Sequence, residues 1–293
     1  MHQRQEIHVV QCGREISVSE VEEIRETVAT FHRLSRRELA MTICEHVGWY
    51  SVTGSPKVDA CVKLLEKLES QGYLSLPEKH AVSPWEPRTP YPTERTEPQP
   101  QIECSLKEVG TVRLEVVRER EEAELWNEYA HRYHYLGYRR PFGCFARYFV
   151  ESDHGRLGCL LFSGAAKALR ERDRWIGWSE SSRLRNLGHV ANNTRFVIFP
   201  WVRVKNLASH VLAQALRRIE DDWEERWSYR PVLLETFVDP ERYEGTCYIA
   251  SNWHYLGMTT GEGLVRKGRS YETSPKKIFV KALAEDFRAV LCL

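Results

Sequence analysis

The sequence predicts an α/β domain on a mixed sheet, preceded by a small helical module, and three observations lead to that class. From Arg195 to Val204 an apolar, β-branched run is followed at once by Leu207, Val211, Leu212, Ala215, Leu216 and Ile219, the spacing of one buried helix face. A second extended run, Pro231 to Asp239, completes a strand–helix–strand unit with parallel, buried strands. Seven prolines among polar residues fill positions 77–103, a composition that suits extended chain and separates two folded parts. The expected organisation is a helical module over 1–76, a linker over 77–103 and a basic α/β domain over 104–293.

The elements follow in order. A helical pattern runs from Ser19 to about His32. Ser35, with Glu38 three residues on, forms a capping box for a second helix that buries Leu39, Ile43 and Val47. Val58, Cys61, Val62, Leu65 and Leu68 define a third helix, stopped by Gly72, and a strand is expected from Tyr73. Three short helices and a strand are the order of a winged helix-turn-helix, whose third helix would turn Lys57 and Lys63 toward phosphates. Beyond the linker, Thr111–Val117 alternates like a strand and Glu121–Tyr133 reads as a helix. Phe145–Ser152 and Arg156–Phe162 make a hairpin, Ala165–Arg170 looks helical, and Arg172–Trp178 reads as a connection.

At 293 residues the chain is long enough for two domains, and no apolar run approaches the roughly 18 residues that cross a bilayer. A cytoplasmic protein without a membrane partner is expected. The eight cysteines show no metal-type spacing and read as reduced, buried residues. The net charge of +1 conceals an asymmetry: His131–Arg218 holds 16 Lys and Arg, 14 of them Arg, against 5 Asp and Glu. Such a segment points to a polyanion, nucleic acid and DNA first. On that reading Arg139, Arg140, Arg147, Arg172, Arg174, Arg195 and Arg203 face one groove and hold phosphates. Trp175, Trp178 or Tyr138 stack on bases, and Asn192, Asn193 and Asn206 add polar contacts.

In a strand–helix–strand unit the loops after both strands share one rim, where ligands gather. That rim collects Lys205 and Asn206, then Asp239 through Thr246, where a helix start would offer N–H groups to an anion. Glu235 and Asp239 lie on one strand face, roughly 13 Å apart at 3.3 Å per residue, too far to bind one metal, though either could pair with a carboxylate from elsewhere, such as Glu151 or Asp153. Glu235 buried against an arginine is the alternative. Tyr248 is the nucleophile candidate and His134 the base or phosphate contact. Magnesium belongs to a nuclease or transposase-like reading of these residues.

Two resemblances bear on this. The order strand–helix–strand–helix, ending in Leu256-Gly257, resembles the second half of a GNAT acyltransferase. Its pyrophosphate loop would fall on Arg203–Ala208, where Asn206 replaces the first glycine, which argues against acetyl-CoA. A closer match runs over Tyr133–Tyr138, Arg172–Trp178, Asn192–Phe196, Pro200–Val202, Leu234–Asp239 and Gly245–Tyr248. These blocks resemble the DruA family of bacterial Druantia anti-phage defence systems, with relatives beside transposases. The resemblance implies a defence or mobile-element setting, nucleic acid as partner, and possible partner subunits. The alternatives it leaves open are a GNAT-like acyltransferase with a degenerate loop and a non-catalytic subunit of a defence complex.

Overall fold

The structure, a computed structural model, describes residues 9–12, 14–51, 54–78, 89–261 and 274–293. It opens with a short hairpin, β1 (Val9–Gln11) and β2 (Arg14–Ile16), followed by α1 (Val18–Thr30), α2 (Arg36–His46) and α3 (Val58–Ser70). Reciprocal capping boxes, Ser17 with Glu20 and Ser35 with Glu38, start α1 and α2 by satisfying N–H groups that a helix cannot pair internally. The strand expected from Tyr73 does not form. Instead Leu76 N–H donates to Glu69 at 2.8 Å and Arg36 bonds the Pro77 carbonyl at 2.8 Å, which folds this segment back along α3. Among the described residues no wing strand follows the three helices, in keeping with a wing expected to be short or absent, and the module's hairpin precedes them.

This module is docked on the rest of the chain. Lys167 ion-pairs with Glu23 at 2.5 Å and donates to the His46 carbonyl at 2.6 Å. Gly143 N–H donates to Thr42 Oγ1 at 3.0 Å. A side chain at Gly188 would meet Thr30 at 2.5 Å, so only glycine permits this approach. The proline-rich stretch is held down as well where it is described. Tyr129 and Tyr133 donate to the carbonyls of Arg95 and Thr96, Arg132 pairs with Glu97 at 2.8 Å, and β3 (Ile102–Cys104) adds to a later strand.

The α/β part runs β4 (Arg113–Val116), α4 (Arg120–Tyr133), β5 (Ala146–Ser152), β6 (Gly155–Gly164), α5 (Arg170–Ile176), α6 (Glu180–Asn186), β7 (Val190–Ile198), β8 (Val202–Val204), α7 (Leu207–Leu216), α8 (Ile219–Trp227), β9 (Leu233–Val238), α9 (Thr246–Ala250), β10 (His254–Met258), β11 (Lys277–Ala282) and α10 (Phe287–Leu291). Seven described strands form one mixed sheet in the order β10-β11-β9-β7-β6-β5-β4. Every neighbouring pair is antiparallel except β7 and β9. The connection expected at Arg172–Trp178 is helical, because Asp173 accepts from Leu169 N–H and so serves the first turn of α5. The helix expected through Ile219 breaks at Arg217–Arg218, and Arg218 reaches across to Asp222 and the Leu114 carbonyl. Among the described residues, no helix is long and apolar enough to cross a membrane.

Candidate functional site

The two parallel strands pair over Val190–Leu233, Ala191–Leu234 and Asn192–Glu235 and then part. β7 also carries a bulge: Asn193 pairs with Phe162 and Arg195 with Leu161, which leaves Thr194 without a ladder partner. Side chains bridge the fork where the ladder stops. Thr236 Oγ1 donates to the Asn193 carbonyl at 2.9 Å, and the Tyr248 hydroxyl donates to Asn193 Oδ1 at 2.7 Å. Tyr248 rises from α9 and stacks on Phe279 of β11 at 5.7 Å, so the fork is fixed from one face of the sheet. Gly245, which opens α9, has φ of +80°, and a side chain there would strike Phe279 at 2.8 Å.

Beyond the fork lies a cleft of about 310 Å³. Thr194 to Ile198 form one wall and Phe237 to Asp239 the other, with Tyr133–Leu136 at one side and Thr246–Tyr248 at another. A second cavity of about 340 Å³ shares Ile198, Ala208, Thr246 and Cys247 with it and runs to the start of α7. Together they form one elongated trough. Asn206, at the head of α7, sits at φ of +63° and makes no side-chain capping bond. Asparagine tolerates this left-handed conformation better than other non-glycine side chains.

The chemistry of the lining is specific. His134 Nδ1 accepts from Leu136 N–H at 3.2 Å, which puts the imidazole proton on Nε2. Burial, with the charge of Arg195 added, pulls this histidine down to about 3. At physiological pH it is a neutral imidazole whose Nε2 carries an N–H donor. Burial raises the Tyr248 phenol above its ordinary value and the Cys247 thiol to about 11, so neither is a ready nucleophile. Asp239 is buried, accepts from Glu241 N–H at 3.1 Å and lies 3.5 Å from Lys276. Arg195 rests on the carbonyls of Gly137 and Thr194, with exposed Arg139 near enough to depress it beyond what burial does.

Of the four catalytic candidates, the trough collects His134, Asp239 and Tyr248 and leaves out Glu235. Glu235 is wholly buried at the end of the paired region, accepting from Arg172 at 2.7 Å, Ala166 N–H at 2.7 Å and Asn192 at 3.4 Å. Its carboxylate is committed to an ion pair within the core, apart from the trough. The single groove of outward arginines is also corrected. Arg172 is buried between Glu235 and Asp173, Arg140 pairs with Glu38, exposed Arg174 lies beside Glu171, and Arg147 is buried over Trp126 and Phe145. Lys57, at the head of α3, and Lys63, within it, are exposed, and Arg203 is exposed on β8, a different element. Trp175 stacks on Phe287 and His254, Trp178 is buried and bonded to Asp173, and Tyr138 packs on Trp126, so none is a free stacking platform. Among the described residues, no cluster of three or more His, Cys, Asp or Glu could hold a metal ion. The bulge at Thr194 and the neutral state of His134 had no distinct signal in the sequence; the shared rim did.

A family model described as Druantia protein DruA matches residues 67–278, well over half of the chain. The chain belongs to the DruA family. The match spans both walls of the trough. No curated protein matches this DruA-family chain. Solved structures similar to it include the aminoglycoside acetyltransferase AAC(6')-Ib in complex with coenzyme A, at 15% identity and TM-score 0.38, covering 59% of this chain and 95% of that one. FeeM, an N-acyl amino acid synthase from uncultured soil microbes, is similar at 13% identity and TM-score 0.34, over 60% and 92% of the two chains. A GNAT-family acetyltransferase from Bacillus cereus ATCC 10987 is similar at 12% identity and TM-score 0.29, over 46% and 69%. Scores of this size carry no argument; the mixed α/β architecture rests on the strand order itself.

Proposed function

We propose that this DruA-family protein serves anti-phage defence by acting on an elongated ligand held in the trough between β7 and β9, and that its chemistry is acyl transfer from a thioester carrier. The observation that carries the reading is the fork: two parallel strands part after three residue pairs, beside a bulge. Backbone N–H and C=O groups released from a ladder need partners. An extended, amide-bearing arm lying between the strands supplies them as a missing strand would. Fold alone does not assign such an activity, so the weight falls on the site.

A thioester carrier would bring the acyl group; the protein's part is to hold and polarise it. The uncapped first turn of α7, with Asn206 left-handed at its head, receives the anionic end of the ligand. His134 turns its Nε2 proton toward a carbonyl oxygen in the cleft and stabilises negative charge there without changing its own charge. Asp239, on the facing wall, is the carboxylate placed to take a proton from an attacking amine; as the C–N bond forms the C–S bond would break, and the carrier would leave as a thiolate that takes up that proton. Tyr248 and Asn193 keep the fork open at one width.

Titration calorimetry with acetyl-CoA tests this. Binding in the micromolar range is expected, and Ala208→Trp, which fills the wall common to both cavities, should abolish it. Silence with the wild-type protein sinks the reading. The nucleic-acid reading has lost its premise of one arginine groove. A gel-shift panel of single- and double-stranded DNA and RNA should show no binding that weakens steeply with salt; a steep salt slope would restore it.

A further inference from the structure

We propose a second ligand site, away from the trough: a phosphate-binding site at the seam between the N-terminal helices and the sheet, formed by Arg140, Arg147 and Arg226 around the ring of Phe145. Its logic comes from how this chain buries arginines. Arg172 is fully buried and has two carboxylates, Glu235 at 2.7 Å and Asp173 at 2.7 Å, which is what a structural buried cation requires. Arg147 is nearly as buried, at 7% exposed, and among the described residues no carboxylate lies within ion-pair reach of it. Among the described residues its guanidinium bonds the Tyr138 hydroxyl at 3.3 Å, and its Nε finds no partner.

The neighbours make the imbalance larger. Arg147 and Arg226 each place a guanidinium 4.6 Å from the centre of the Phe145 ring. Arg140 stands close enough to depress Arg147, and Arg147 to depress Arg226, in both cases adding to burial. Among the described residues, the carboxylate paired with this group of guanidiniums is Glu38, bound to Arg140 at 3.3 Å. Glu225, next in sequence to Arg226, is taken by both prongs of Arg118 at 2.7 and 2.6 Å. Ring faces offset part of the cost of such cations, about 0.5–2 kcal/mol each, but do not neutralise them.

A small tetrahedral anion does neutralise them. Guanidinium groups supplied by β5, by α8 and by the loop before β5 would suit the oxygens of a phosphate group better than a single carboxylate does. The seam is open on one side, since Arg140, Phe145 and Arg226 are only half-buried. The anion is free phosphate or a nucleotide on one hand, or the backbone of a nucleic acid on the other; all present the same group.

Thermal unfolding of the full chain in sodium phosphate, against sodium chloride at matched ionic strength, reads the site. The wild-type midpoint is expected to rise by about 2–4 °C in phosphate. Arg226→Gln and Arg147→Met should lose that rise. If Arg147→Met fails to fold, the half-buried Arg226→Gln carries the test alone. Adenosine monophosphate and a single-stranded oligonucleotide at equal phosphate concentration separate the two sources. Equal wild-type midpoints in the two salts overturn the site, as does a rise that both variants keep.

Discussion

Arg172 shows how one residue can look like a ligand contact and be a keystone. Its guanidinium bonds Glu235, Asp173 and the Ala166 carbonyl and lies under Trp178. Burial works against its charge, but the two carboxylates outweigh burial and hold it above the ordinary arginine value. Arg172→Met would strand Glu235 as a buried, unpaired charge, so we expect a loss of about 3–5 kcal/mol, measured by urea unfolding. Adding Glu235→Leu to that variant should recover most of the loss, because an apolar pair has nothing to leave unsatisfied. A loss below about 1 kcal/mol for Arg172→Met would mean that the pair carries little of the fold's stability.

At the scale of elements, the β7–α7–β9 unit depends on the turn at Asn206. With φ of +63° the position suits asparagine or glycine. Asn206→Ala is therefore expected to cost about 1–2 kcal/mol, while Asn206→Gly should stay within about 0.5 kcal/mol of wild type. Equal stability of the two variants would show that the turn relaxes out of this conformation. The same unit was the most legible part of the sequence, since continuous apolar strands and a one-faced helix leave few alternatives. The fork itself was not legible. Nothing in Asn193-Thr194-Arg195 announces that Thr194 bulges, because a bulge is decided by the partner strand's register. Nor could counting arginines reveal direction: a run of positive charge reads the same whether its members face water, a ring or a carboxylate. β10 and α10 were missed for a related reason, being too short for a periodic pattern to emerge.

Across the whole molecule, the helical module and the sheet share one continuous core from Val9 to Phe279, so the chain behaves as a docked assembly and not as beads on a tether. Two histidines report on that packing. His46 lies in the seam between module and sheet and His134 beside the trough; burial first, then Lys167 or Arg195 respectively, lowers each from 6.5 to about 3. Each therefore stays neutral in the folded state at pH values where the unfolded chain protonates it. The unfolded state then binds more protons than the native state from about pH 6.5 downward, so stability is full above that value and falls as pH drops. Two such groups give a slope of about 2.7 kcal/mol per pH unit. Between pH 6 and pH 4.5 that amounts to roughly 4 kcal/mol, close to the whole margin of a weakly stable protein. Urea midpoints across that interval should move down together for probes of the module and of the sheet, because His46 lies where the two meet. His46→Gln should halve the slope whatever it does to the absolute stability. A profile flat over this interval would mean that both imidazoles reach water, and that the seam and the trough wall are looser than their packing implies.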